Sequence, residues 1–594
     1  MSEAVATDTT TDGAADTPTR RDAGLSISGL TVRYYGREED ALRDVSVDVP
    51  PGAFVGVAGA NGAGKSTLTL AAAGFIPRIV RAQLSGTVAV GTGDLPAAEA
   101  IATGTHQVGI VFPNPHNQLS ATKATVREEL AFGLENLGVP RIDMDARIDS
   151  VLDRLRIAHL ADRSPFALSG GEQQRVAIAS IVAMGMAVLV LDEPTAQLDP
   201  LSTAAVGDLL KELAGEGTSI LVAEHAPTIL GAAERCLVLS NGQAVTTERP
   251  GRALAPDVLE PIGLRSPAMV SLAVAADVPA ELAFDEESVA NGLRGVVATA
   301  PEPDLAVTQP WVAVRDVRPS GITVRGLVHR YPGGVEALRG IDLEIDPGES
   351  VAIIGQNGSG KTTLVKHLNG LLRPDAGSVA IDGADISDRL VHELAGTVGF
   401  VFQNPDDQLF NRTVEREVRF GPKNLRLTEP ETARLVDESL AVIGLEAERP
   451  SNPYDLNVSS RKLVALGSVL ATDPSVLVLD EPTTGQDGPG VARVGSVVDS
   501  FKAAGRTVIA ITHDMEFAAR HFGRIVVMRL GEVVADGPPA DVFRANNVEL
   551  LASTGLTPPP SARIAARLGL DYVPADADSL LRFLATRTGR TQPA

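Results

Sequence analysis

One nine-residue phrase occurs twice in this chain. "GANGAGKST" spans 59–67 and "GQNGSGKTT" spans 355–363. Each follows an apolar run that reads as a buried strand and precedes one that reads as a helix. The match is wider than the phrase: "ALRDVSVDVPPGAFVGVAGANGAGKSTL" (41–68) aligns with "ALRGIDLEIDPGESVAIIGQNGSGKTTL" (337–364), and "LVLDEPT" recurs at 189–195 and 477–483. A repeat this long is two domains rather than a solenoid.

Within each copy, alternating patterns such as "SISGLTVRYY" and "GITVRGLVHRY" read as strands. "VLVLDEP" reads as a central strand, and "SILVAEH" and "TVIAITH" as another, with helical stretches between them. That alternation predicts an α/β fold with a parallel sheet. The expected order is a disordered tail (1–22), a nucleotide domain (23–250) and a small extension (251–290). A Pro-containing linker (291–318), a second nucleotide domain (319–537) and a second extension (538–594) follow.

The totals argue against several roles. A net charge of −23 argues against a nucleic-acid partner, which usually needs a basic face. The lone cysteine, Cys236, rules out an intrachain disulfide and suits a reducing compartment. The longest uncharged apolar run, 176–191, is short for a membrane span, and "TDP" at 472–474 breaks its counterpart. It reads as a helix, a turn near Gly185 and a strand, so any membrane role must come through partners.

The repeated phrase fits G-x-x-x-x-G-K-[ST], a loop whose backbone N–H groups curl around phosphate oxygens at a helix N-terminus. Candidate ATP-binding residues are Gly59, Asn61, Gly62, Gly64, Lys65, Ser66 and Thr67 in the first copy. Gly355, Asn357, Gly358, Gly360, Lys361, Thr362 and Thr363 are those of the second. The lysines would reach the β- and γ-phosphates, and Ser66 and Thr362 would offer hydroxyls to Mg²⁺. Asp192 and Asp480 end buried strands and suit Mg²⁺ positioning. Glu193 and Glu481, one residue on, suit polarising a water.

"LSGGEQQR" (168–175), placed between the P-loop and "LVLDEP", resembles the signature of ATP-binding cassette (ABC) ATPases. That resemblance implies two P-loop NTPase domains, each with a helical signature subdomain, pairing head to tail within the chain and hydrolysing ATP with Mg²⁺. It further implies that Tyr35 and Tyr331 stack the adenine. Ser169, Gly170 and Gly171 would contact the γ-phosphate across the interface. His225 and His513 would be γ-phosphate switches, and Asp199 and Asp487 would sit on loops crossing the interface. Gln403 would touch Mg²⁺ or the attacking water.

"VFQNPDDQLF" (401–410) with "TVEREVRFGPKNL" (413–425) is similar to the ATPase subunits of energy-coupling factor (ECF) transporters. "VFPNPHNQLS" (111–120) with "TVREELAFGLENLGVP" (125–140) is a looser version. This finer resemblance implies a peripheral subunit at the cytoplasmic face of the cell membrane. It would power import of a vitamin or transition metal through a transmembrane coupling protein and a substrate-binding membrane subunit. The alternative is a soluble tandem ABC ATPase acting on ribosomes; the Lys-free, acidic join between the copies argues against it.

The copies differ where the resemblance is most specific. Against Leu168–Glu172 of the first, the second reads Leu456, Asn457, Val458, Ser459, Ser460. A Cβ obstructs close backbone approach to phosphate, and a β-branched one is stiff. Asn457 or a serine can still cap the helix, while Arg461 and Lys462 could supply charge. The first copy carries Pro113 where the second has Gln403, and Gln118, matched by Gln408, is no obvious substitute. Head-to-tail pairing puts both losses in one pocket. The expectation is a hydrolytic site at Lys361 and an impaired, ATP-retaining site at Lys65.

Overall fold

A computed structural model describes residues 23–91, 108–294, 320–332 and 334–588. The tail 1–22 and most of the expected linker lie outside the described residues. The first copy builds a six-stranded sheet in the order Val108–Val111, Val188–Asp192, Ser219–Ala223, Phe54–Gly59, Arg235–Ser240, Gln243–Glu248. All neighbours are parallel except the last pair. The second copy repeats this order with Val398–Val401, Val476–Asp480, Thr507–Ile511, Ser350–Ile354, Arg524–Arg529 and Glu532–Gly537. The central strands "VLVLD" are buried at every position, as expected for strands covered on both faces.

A smaller antiparallel sheet flanks each core, with three strands among the described residues of the first copy (Leu25–Tyr34, Leu42–Val49, Ala82–Val90) and four among those of the second. Each copy also carries a helical subdomain. Helices Val126–Asn136, Arg141–Arg154 and Gly170–Ala183 form the first; Val414–Asn424, Glu429–Ile443 and Val458–Leu470 form the second. The apolar run at 176–191 divides as expected, with helix to Ala183, Gly185 at φ 66° and strand from Val188. Among the described residues no helix is long and apolar enough to cross a membrane.

The extensions are helical and lie on each other. Helix Glu286–Leu293, which runs past residue 290, and helix Ala268–Ala275 pack against Pro560–Arg567 and Ala577–Thr588 of the second extension. Leu272, Ala273 and Val289 share one buried cluster with Ile564, Ala565 and Leu580. At its rim Arg563 and Arg567 both donate to Glu286, at 2.6 and 2.9 Å. Burial alone would raise the Glu286 carboxyl, but these arginines hold it below the usual range.

Candidate active site

The carboxyl ends of three parallel strands converge in each copy, the usual place for a ligand in an open α/β sheet. Strand Phe54–Gly59 delivers the P-loop, Val188–Asp192 delivers Asp192 and Glu193, and Ser219–Ala223 delivers His225. Helix Lys65–Ala72 starts at Gly64, whose φ of 103° is left-handed. A Cβ there would meet Ala41 O at 2.8 Å, so the turn needs glycine; Gly360 repeats the arrangement at φ 102°.

Lys65 and Lys361 are buried across the mouths of their loops. Lys65 Nζ donates to the carbonyls of Gly59 (3.0 Å) and Ala60 (3.1 Å), and Lys361 Nζ to those of Gly355 (2.7 Å) and Gln356 (3.0 Å). Burial lowers both ammonium pKa values, against the pull of nearby carboxylates. Ser66 hydrogen-bonds Asp192, and Thr362 donates to Asp480 at 3.4 Å. Burial, reinforced by the adjacent glutamate, pushes Asp192 and Asp480 up to about 6. Glu193 and Glu481 hold left-handed backbones, at φ 46° and 49°.

The histidines reach their glutamates differently. His513 directs Nδ1 to Glu481 Oε2 at 2.8 Å, and its backbone N–H bonds the same oxygen at 3.3 Å. His225 instead presents Nε2 to Glu193 (3.3 Å), to Lys65 Nζ (3.0 Å) and to Asn61 Oδ1 (3.2 Å). Burial would raise Glu481 and Glu193, but His513 with Lys361 and Lys462, and His225 with Lys65, hold the two carboxyls low. Glu224 has no counterpart among the residues singled out from sequence. It is buried, takes the His225 N–H at 2.6 Å and bonds the Thr195 hydroxyl, in the place of Thr512. A charged residue among "SILVAEH" was the available signal.

The copies meet head to tail. Asp487 accepts the Asn61 N–H at 2.8 Å, and Gly485 O accepts from Asn61 Nδ2 at 3.3 Å. In the other direction, a Cβ on Gly171 would lie 3.0 Å from Asn357 Nδ2. The intact signature therefore faces the Lys361 loop, and the loop beside the altered one lies on the Lys65 loop. Gly170 and Gly171 also crowd Gln197, where added Cβ atoms would meet Oε1 at 2.6 Å and the carbonyl at 3.1 Å. Ser169 caps its helix in a reciprocal bond with Glu172. Asn457 caps the altered one through the Ser460 N–H at 2.8 Å.

Three sequence readings are corrected or completed. The tyrosine in register with Tyr331 is Tyr34, not Tyr35. Gly29 and Gly326 mark the same bulge in their strands (φ 60° and 55°), and Tyr34 and Tyr331 both lie five residues on. Tyr34 bonds Thr67 at 3.0 Å and Tyr331 bonds Thr363 at 3.2 Å, while Tyr35 is 82 % exposed. The hairpin of the first copy is one residue longer, which displaced the alignment. Lys462 points into its own domain rather than towards a phosphate, and Arg461 lies 3.6 Å from Asp406. Gln118 and Gln408 are structural: each bonds the backbone N–H six residues before it, and Gln408 also reaches Ala465 O at 2.9 Å. Gln403 is exposed on the loop after Val398–Val401, and Pro113 is half-buried in the matching place.

Comparison with known proteins agrees with this geometry. The ABC transporter family profile matches residues 42–196 and 338–484. An ABC transporter ATP-binding protein of Methanosarcina acetivorans is 36 % identical over 92 % of this chain and 91 % of its own. One from Caldanaerobacter subterraneus is 34 % identical over 93 % of this chain and 98 % of its own. Among solved structures, cbiO1 of Clostridium perfringens, described as part of the ABC transporter complex cbiONQ, is 36 % identical. It covers 42 % of this chain and 98 % of its own, with a TM-score of 0.36. Two P-loops, two strand-end carboxylate pairs and a head-to-tail interface thus stand in one polypeptide, and the chain belongs to the ABC transporter ATPases, the ATP-hydrolysing engines of transport.

Proposed function

We propose that this chain powers an ECF-type importer of a vitamin or transition metal from the cytoplasmic face of the membrane, hydrolysing ATP chiefly in the Lys361 pocket. The observation that carries the transport reading is an exposed aromatic pair. Phe410 and Phe420 stack edge to face at 4.7 Å, yet are 58 % and 45 % exposed. They sit in the segment "VFQNPDDQLF…TVEREVRFG" on which the ECF resemblance rests. A cleft of about 510 Å³ lined by Arg416, Arg419, Lys423 and Arg449 lies on the same helical subdomain. Exposed aromatics on a subdomain that also carries a cleft suit an anchoring segment of a membrane partner. The first copy offers a reduced version, with Ser120 in place of Phe410 and Phe132 beneath Lys123.

Phe410→Asp combined with Phe420→Asp should abolish co-purification with a polytopic membrane protein while leaving the ATPase rate of the isolated chain within about twofold; surface changes away from the nucleotide cost little. Undiminished recovery of the membrane partner would overturn the docking assignment.

The residues suit Mg²⁺ at both pockets. Asp192 Oδ1 is buried with no hydrogen-bond partner, and both aspartates are held up by burial beside a second carboxylate, a state a divalent cation relieves. Ser66, Asp192, Thr362, Gln403 and Asp480 would hold it. Among the described residues no cluster of three or more His, Cys, Asp or Glu could hold a metal alone, so the nucleotide's oxygens would complete the shell. Bound there, Mg²⁺ neutralises charge on the β- and γ-phosphates. The protein's own part is distinct. P-loop N–H groups and the lysine orient the phosphates, Glu481 polarises the attacking water, and His513 fixes that carboxylate. Gly170 and Gly171 close the pocket from the opposite copy.

A further inference from the structure

The altered signature has a second face. Lys462 belongs to the stretch "NVSSRK", and its side chain runs inward and is buried. Its ammonium donates to the carbonyls of Thr484 (2.7 Å) and Glu481 (3.2 Å). Those carbonyls bracket the turn that leaves strand Val476–Asp480 and holds Glu481 in its left-handed conformation. The turn's own hydrogen bond, from the Thr484 N–H to Glu481 O, is long at 3.4 Å. In the first copy the matching residue is Gln174, which donates elsewhere, to Phe112 O at 3.2 Å. The turn carrying Glu193 therefore lacks such a staple.

A second contact fixes the same helix start. The Ser459 hydroxyl donates to Gln486 Oε1 at 2.5 Å, and Gln486 Nε2 returns a bond to Ser459 O at 3.2 Å. The next residue, Asp487, takes the Asn61 N–H of the opposite P-loop. One short segment thus grips the turn of its own glutamate and the loop that lies on the other pocket. Ser459 fills the place of Gly171, so the hydroxyl that makes this grip is one the intact signature lacks.

We propose that Lys462 is a positioning residue that holds the Glu481 turn in its hydrolytic geometry, the altered signature having exchanged phosphate contact for this support. A buried ammonium is costly unless it is well partnered, and two backbone carbonyls aimed at it provide partners whose positions it then fixes. Burial brings Lys462 down to about 8, against the opposing pull of Glu481 and Asp480. The proposal rests on the reading that the Lys361 pocket hydrolyses ATP.

Lys462→Met keeps the aliphatic stem and removes the charge. Because small displacements of a reacting group cost up to about a hundredfold, its kcat should fall about tenfold, with the KM for ATP within about twofold. Lys462→Arg, which retains a cation and its donors, should keep at least about half of the wild-type kcat; a merely structural side chain would not show that rescue. Lys462→Gln, the residue the first copy accommodates here, serves where the methionine variant does not fold, and should lose kcat likewise. Wild-type kcat in the Met or Gln variants, an arginine variant as slow as the methionine one, or a rise in KM matching the fall in kcat would each overturn the assignment. Undiminished turnover of Glu481→Gln would instead remove the underlying reading of the Lys361 pocket.

Discussion

Glu481→Gln lowers steady-state phosphate release at least about a hundredfold, the low end expected for loss of a positioned general base, whereas Glu193→Gln leaves more than half of it. The two glutamates look equivalent in sequence and share a left-handed backbone. What separates them is the rest of the pocket. Glu481 is 5 % exposed, and its carboxylate is bonded by both the ring and the backbone N–H of His513. Across the interface the P-loop of this pocket meets an intact signature, where a Cβ on Gly171 would lie 3.0 Å from Asn357 Nδ2. Glu193 shares its histidine with Lys65 and Asn61, and the His225 N–H goes to Glu224 instead. Its pocket has Pro113 in place of a glutamine and Val458 in place of a glycine. Phosphate release, compared between the two single variants, is the decisive measurement. Equal losses would show that both pockets work alike.

Arg506→Ala destabilises the second cassette by about 3–5 kcal/mol, the usual cost of removing one member of a buried ion pair. Arg506 and Asp473 are 2.6 Å apart, and their side chains are 1 % and 0 % exposed. The guanidinium also donates to Pro474 O at 2.8 Å and lies over the Phe501 ring. Removing it strands a carboxylate in the interior. At about 2–4 °C per kcal/mol for a domain of this size, the melting transition should drop by about 10 °C. The first copy supplies the control, because Gly185 and Thr218 stand where the second has Asp473 and Arg506. The double replacement Asp473→Gly with Arg506→Thr should recover most of the loss. Thermal unfolding followed by far-ultraviolet dichroism reads both; an unchanged transition in Arg506→Ala would refute the claim.

The fold was legible because the repeat gives every element a second reading. The run at 176–191 alone is ambiguous between a membrane segment and a helix–strand pair, and "TDP" in the other copy decides it. P-loops and strand-end carboxylates were legible because their chemistry fixes both residue type and spacing. Tyr34 was missed because one extra residue in a hairpin shifts a linear alignment without shifting strand register. Lys462 was misdirected for a different reason. A helix start shows that a side chain lies near a pocket, but the direction of a long flexible side chain depends on which carbonyls lie within its reach. Glu224 stayed unseen because burial of a carboxylate is decided by partners distant in sequence, here Thr195.

The mating of the two extensions has a mechanical consequence. Helices from the middle of the chain and from its C-terminal part meet in a single cluster around Leu272, Val289, Ile564 and Leu580, riveted by Glu286 with Arg563 and Arg567. The cassettes are then jaws on a fixed pivot. The packed cluster and the covalent join together keep the two cassettes of one chain beside each other. A pump assembled from free-standing cassettes must solve a pairing problem that this chain has removed by construction.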